Sequence, residues 1–325
     1  MKKSGKTNPE PLMRRDITYI QGVQMEEAVE IVRHCSFRDE EMEVIERILR
    51  SPEEFHNVYM DWIRYWHFER CISELHAFTK KESFFYYGNC DVCNSPQPFI
   101  VDYRFAETEN DVKKINWRER LVCPNCGCNS RQRYSARQIF KAYEKGKKIL
   151  LYEQNSEVFR KVQREISEIQ GFDYPGSGHQ EKKINGVDTQ DICALEYPDE
   201  SFDLIISNDV FEHVYDYEQA FKEAYRVLRT GGKMIFTVPF DGNSIETARR
   251  VEMDEANVIY TADKYFHGNP VPGLEKEPLL VYQIFGWDMI DILRRCGFRD
   301  AYGKTYYGLK KAYMGYLPVY FEALK

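Results

Sequence analysis

Two cysteine pairs, Cys90-Asp91-Val92-Cys93 and Cys123-Pro124-Asn125-Cys126, carry the clearest chemical signal in the chain. A C-x-x-C knuckle turns two thiolates towards one ion, and two knuckles complete a closed, tetrahedral zinc site. Four thiolates leave such an ion no open position, so its role is to hold a fold. Buried thiols without metal, or a dithiol redox pair, are the alternative readings. Gly127 permits the tight turn behind the second knuckle, and Cys128 beside it is either a substitute ligand or a bystander. Directly after comes a basic run, Arg131, Arg133, Arg137, Lys141, Lys145, Lys147 and Lys148, with Tyr134 interleaved. Such a run grips phosphate or nucleic acid, or else is the solvated face of a helix, which is the commoner case.

Composition limits what this chemistry can serve. With 325 residues the chain has room for about two domains of ~100–200 residues. Hydrophobic residues at 43% and charged residues at 30% exclude the disordered and low-complexity classes. The net charge of −7 argues against a protein whose whole surface attracts nucleic acid or anionic membrane. Runs such as Phe99-Ile100-Val101 fall far short of the ~20 apolar residues of a membrane span. The basic start Met1-Lys2-Lys3 lacks the apolar stretch of a secretory signal, so a cytoplasmic location is expected. There the nine cysteines are free thiols or metal ligands rather than disulfides.

The elements that must position these residues change period along the chain. The first ~15 residues read as a polar lead-in, followed by helical patterns at Met25–His34 and Asp39–Arg50. A sharper helix start follows at Ser51-Pro52-Glu53-Glu54, a capping Ser, a Pro at the first helical position and a Glu three residues on. Behind it Phe55, Val58, Tyr59, Trp62, Tyr65 and Trp66 recur at helical spacing, which predicts core packing. From Ser83 the runs become strand-like, and the knuckles lie in this β-rich stretch. A helix after Arg137 leads to Gly146. Beyond it strands and helices alternate: strand Lys148–Tyr152, helix Ser156–Ile169, strand Phe202–Ser207, helix Tyr217–Arg229 closed by Gly231-Gly232, and strand Lys233–Val238. Alternation with buried strands predicts a parallel, doubly wound sheet. Three units are expected: a helical segment over 1–82, a zinc-ribbon-like module over 83–143, and an α/β domain over 144–325.

The stretch from Asp191 through Tyr197-Pro198-Asp199-Glu200-Ser201-Phe202-Asp203-Leu204-Ile205-Ile206 to Glu212-His213-Val214, then Arg226-Val227-Leu228-Arg229-Thr230-Gly231-Gly232, resembles the class I S-adenosylmethionine-dependent methyltransferases of type 11. Several ordered elements at matching spacing are more specific than one short motif. The resemblance covers roughly Lys147 to the C-terminus and implies an α/β, Rossmann-like methyltransferase sheet whose last strand is antiparallel, formed here by Phe298–Tyr307 and Tyr316–Leu324. The family's glycine-rich first loop is replaced by Leu151-Tyr152-Glu153-Gln154-Asn155-Ser156-Glu157, which has no glycine. In this the chain is similar to a subgroup with an "EQ" loop, joined to an N-terminal knuckle module ending in Arg131-Gln132-Arg133 and associated with saccharide modification.

That resemblance implies S-adenosylmethionine as cofactor beside the structural zinc, held outside the carboxyl ends of the strands. Glu153, Gln154 and Asn155 stand where glycine amides usually serve. Asp173 is a candidate for the ribose hydroxyls, Asp191 and the Ile192 backbone for the adenine, and Asn208 for the methionine end. For a hydroxyl acceptor a general base helps, and His213 beside the methionine site is the first candidate. The long insertion Asp241–Leu280 is expected to be a lid or binding loop, which makes His267 and Tyr265 second-choice acceptor residues. The expected substrate is a small molecule or saccharide, with O-methylation the leading reaction. RNA methylation through the basic run, or a non-catalytic binding subunit, are the competitors. No membrane partner is expected, and self-association is left open.

Overall fold

The computed structural model describes residues 44–79, 81–109, 112–254 and 257–325. The expected lead-in and the Met25–His34 helix lie outside them. At the centre is a seven-stranded sheet in the order Ile45–Leu49, Asp300–Tyr307, Val319–Leu324, Leu228–Thr237, Phe202–Asn208, Ile149–Leu151, Ile169–Gly171. The last four strands run parallel, and Val319–Leu324 is antiparallel to Leu228–Thr237. This is the α/β, Rossmann-like arrangement with an antiparallel final strand that the alternation and the resemblance predict. The parallel strands are buried along almost their whole length, as strands covered on both faces must be. A single parallel bridge, Asp173 to Thr189, stands where a third parallel strand leading to Asp191 would lie.

Several boundaries differ from the sequence reading. Residues 45–49, read as the end of a helix, form a strand paired antiparallel with Asp300–Tyr307. Five residues containing Ile45, Ile48 and Leu49 fit either period, and the unpaired backbone of a sheet edge decides between them. Arg50 fixes the join with paired hydrogen bonds of 2.8 and 2.9 Å to Asp300. The helix behind Ser156 covers only Glu157–Val162, and the helix from Tyr217 stops at Val227, from where the chain enters its strand at once.

The long helix Pro52–Thr79 starts at the capping serine, whose Oγ accepts from Glu54 N at 3.2 Å. Its aromatic stripe is core: Phe55, Val58, Trp62 and Tyr65 are buried, and the Tyr65 and Tyr307 rings lie 4.5 Å apart. The knuckle region is built on the antiparallel hairpin Ser83–Cys90 and Ser95–Asp102. Helix Ser130–Ala142 follows the second knuckle directly, beginning before Arg137 rather than after it. It is capped by Asn129, which accepts from Gln132 N at 2.8 Å while Gln132 accepts from Asn129 N at 3.1 Å. One continuous apolar core runs through the long helix, the hairpin and the sheet. Among the described residues, no helix is long and apolar enough to cross a membrane.

Candidate functional site

The four knuckle sulfurs lie within 4.8 Å of one another. Cys90 to Cys126 is 3.8 Å and Cys93 to Cys123 is 3.7 Å. A tetrahedron with zinc–sulfur bonds of about 2.3 Å has edges of about 3.8 Å, so this donor set fits zinc. Gly127 has φ +76°, and its amide donates to Cys123 O at 2.9 Å, closing the turn. Cys128 is buried, with its thiol directed at Cys126 O rather than among the four.

A cavity of about 1020 Å³ opens at the carboxyl ends of the parallel strands. That is the upper end of the ~300–1,000 Å³ usual for cofactor and ligand sites. The first loop forms one wall. None of residues 152–157 has a positive φ, so this loop is relaxed without glycine, and side chains replace backbone amides along it. Glu153 is paired with the amide of Asn208, whose Oδ1 accepts from Ser135 Oγ at 2.6 Å. Burial pushes the Glu153 carboxyl up to about 8, against the pull of Arg131. Asn155 donates its backbone amide to Asp173 Oδ2 at 2.8 Å and its side chain to Pro270 O at 2.7 Å. Asp173 is buried, and its other oxygen, Oδ1, has no hydrogen-bond partner. Burial raises its carboxyl to about 6, opposed by the Asn155 amide.

Glu153, Asn155, Asp173, Asn208, His213 and His267 all line this cavity. Gln154 does not: its amide is bound to Asp188 on the far side of the loop, at 2.6 and 3.0 Å. Asp191 and Ile192 also lie outside the lining. The Asp191 carboxylate is exposed and caps a turn by accepting from Cys193 N at 2.9 Å, and Ile192 is in the core. Tyr174, next to Asp173, lines the cavity in that direction.

The sequence reading missed the ionic wall. Arg118 donates to Asp209 at 2.9 and 3.0 Å, Arg131 lies 3.5 Å from Asp209, and both pair with Glu119. Burial would raise the Asp209 carboxyl, but the two guanidiniums hold it well below the usual carboxylate range. Asp209 also adopts φ +53°, a strained value for a non-glycine residue. Its place at the tip of a parallel strand was the available signal; its partners come from the knuckle region and leave no local trace. Other cations of the basic run are spent likewise, whereas Lys145 and Lys148 are exposed. Arg133 is fully buried and donates to Lys311 O and Ala312 O at 2.6 and 2.7 Å. Arg137 binds Asp91 at 2.5 Å, and Lys141 pairs with Glu46 at 3.2 Å.

At the opposite wall, the turn Phe211–His213 meets the insertion, which forms short paired strands rather than a loose loop. His213 Nδ1 lies 2.9 Å from Leu280 O, and its Nε2 lies 3.0 Å from His267 Nδ1. Both nitrogens of His213 are thus engaged, and burial lowers its imidazole to about 4. Glu212 sits behind the pair, with Oε1 at 3.7 Å from His213 Nε2 and 3.5 Å from His267 Nδ1.

Residues 155–236 match the family described as Methyltransferase domain. A sarcosine/dimethylglycine N-methyltransferase from Halorhodospira halochloris is 47% identical over 49 residues, 15% of this chain and 18% of the relative's length. The chain thus spans less than a fifth of that curated relative. Among solved structures, a S-adenosylmethionine-dependent methyltransferase from Mesorhizobium loti is similar at 17% identity, covering 58% of this chain and 96% of the other, with a TM-score of 0.37. A possible histamine N-methyltransferase from Thermotoga maritima is similar at 18% identity over 59% and 88%, with a TM-score of 0.34. Together with the sheet order, the match over residues 155–236 identifies a methyltransferase domain in the α/β part of this chain.

Proposed function

We propose that the chain is an S-adenosylmethionine-dependent methyltransferase acting on a hydroxyl of a small molecule or saccharide, with zinc held by Cys90, Cys93, Cys123 and Cys126 in a folding role. The single observation that carries the reading is the unpartnered, buried Oδ1 of Asp173, a residue that lines the cavity at the strand ends. A ribose hydroxyl supplies the missing donor, and the polar set Glu153, Asn155 and Asn208 accommodates an amino-acid end. When bound, the cofactor supplies an electrophilic methyl group on sulfur. The residues of this chain do the rest. They fix the donor along the first loop, exclude water beneath the insertion, and align an acceptor on the wall formed by Glu212, His213 and His267. A hydroxyl must be ionised to attack, and that cluster is the cavity's equipment for ionising it.

A second reading, methylation of an amine, is favoured by the Halorhodospira relative, a sarcosine/dimethylglycine N-methyltransferase. An amine attacks as the free base and has less need of such a cluster. The internal pairing of Arg131, Arg133 and Arg137 weighs against RNA as acceptor. Transfer of labelled methyl groups to a panel of sugars, phenols and amines tests the reading. Turnover on hydroxyl acceptors, reduced at least tenfold in His267→Ala with unchanged cofactor affinity, is expected. Turnover on amines alone would replace the first reading by the second, and failure to bind S-adenosylmethionine in calorimetry would remove both.

A further inference from the structure

We infer that Glu212, His213 and His267 form a second metal site, one that takes a divalent ion of the zinc class with an open coordination position facing the cavity. Glu212 Oε1, His213 Nε2 and His267 Nδ1 converge from two elements, at mutual distances of 3.0, 3.5 and 3.7 Å. Ligands at ~2.0–2.2 Å from a tetrahedral ion are about 3.3–3.6 Å apart, and the three separations straddle that range.

Hydrogen bonding within the cluster does not account for it. His213 Nδ1 faces a carbonyl oxygen, Leu280 O, so it carries the proton and Nε2 presents a lone pair. His267 Nδ1 can then donate to that lone pair, which satisfies the two imidazoles but not Glu212. The Glu212 side chain is fully buried, and neither of its oxygens has a hydrogen-bond partner. A buried carboxylate without donors is costly. One divalent cation neutralises the carboxylate through Oε1 and takes both nitrogen lone pairs at once. The Leu280 carbonyl is then the outer partner that orients a ligating imidazole.

His213 and His267 line the cavity while Glu212 lies behind them, so three protein ligands close one side and the fourth position faces the acceptor space. An open position separates a catalytic ion from a structural one such as the four-thiolate site. The role in methyl transfer rests on the proposed function; the metal site does not. A hydroxyl at the open position loses its proton to water more readily. Its oxygen lone pair forms the new carbon–oxygen bond, and the carbon–sulfur bonding pair stays on sulfur as a neutral thioether.

The test is metal content of the full-length protein, loaded with zinc in excess and desalted. Two equivalents per chain are expected, falling to one in His267→Ala and in Glu212→Gln, with the circular dichroism of the wild type. Cobalt loading separates the sites: thiolate-to-metal charge transfer marks the cysteine site and persists in His267→Ala, whereas part of the visible ligand-field absorption is lost. His267 is partly exposed and its loss leaves the core intact, so a misfolded Glu212→Gln protein does not leave the result open. Equal metal content in wild type and His267→Ala overturns the site. Two equivalents with no turnover on any acceptor keep the site and overturn the methyl-transfer reading. Undiminished turnover after selective removal of the second equivalent overturns its role in acceptor activation.

Discussion

Asp173, the residue proposed for the cofactor's ribose, has one oxygen held by the Asn155 amide and the other without a hydrogen-bond partner. Its position after the second parallel strand made it readable from sequence, because strand ends in an open sheet converge on one crevice. Asp191 was chosen by the same logic, but the chain there makes a turn instead of a strand, and its carboxylate caps that turn. The pH dependence of cofactor binding follows from Asp173. Burial raises its carboxyl to about 6, so the ionised acceptor is present above that pH and lost below it. The Asp173 contribution to S-adenosylmethionine affinity should weaken as pH falls through about 6, separate from any step near pH 8 where the Glu153 carboxyl titrates. Asp173→Asn should weaken binding at pH 7.5 by about 1–3 kcal/mol, roughly five- to 150-fold, and remove the step near pH 6. Calorimetry at several pH values checks both; a variant that binds as well as wild type would mean that the ribose lies elsewhere.

The elements were legible where their period was long or their caps explicit. Ser51 and its aromatic stripe announced the helix Pro52–Thr79, and unbroken apolar runs announced the central strands. What could not be read were elements defined by distant partners. Ile45–Leu49 becomes a strand only because Asp300–Tyr307 offers an edge. The basic run looked like a solvated helix face because its acceptors, the carbonyls of Lys311 and Ala312 and the side chains of Asp91 and Glu46, lie far away in sequence. Two substitutions on helix Ser130–Ala142 separate local from distant support. Asn129→Ala removes the reciprocal cap and should cost about 1 kcal/mol. Arg133→Met keeps the bulk over the Phe99 ring, 4.0 Å from the guanidinium, but strips Lys311 O of its donor and leaves Ala312 O only Ser130 Oγ at 3.3 Å. At about 1–3 kcal/mol for a buried carbonyl left without its donor, its cost should exceed that of the cap. Urea unfolding of both variants gives the comparison, and equal losses would mean that the carbonyls find other donors.

Across the whole molecule, the knuckle region reaches the cavity through side chains rather than strands. Arg118 and Arg131 close on Asp209 at the tip of the strand Phe202–Asn208, next to Asn208 and its partner Glu153. The pair thus couples the cysteine-rich region to the loop that lines the cavity and holds a left-handed residue in place. Breaking a buried pair by removing one partner typically costs about 3–5 kcal/mol. The Arg118 side chain is 30% exposed, so a loss nearer 2 kcal/mol is expected for Arg118→Met. The sign with pH follows from Asp209, whose folded carboxyl is held below its unfolded value. Its contribution is fully present above the ordinary aspartate range, near pH 4, and is lost as pH falls through the folded value. Arg118→Met should therefore be less stable than wild type at pH 7, and the gap should narrow on acidification below about pH 4. Because Asp209 neighbours Asn208, the variant should also bind S-adenosylmethionine several-fold more weakly at pH 7 while still taking up the zinc proposed for its four cysteines. Thermal melts across pH, with cofactor titration and metal analysis of the same samples, read all three. Unchanged cofactor affinity in a destabilised variant would show that the module supports the fold without shaping the site.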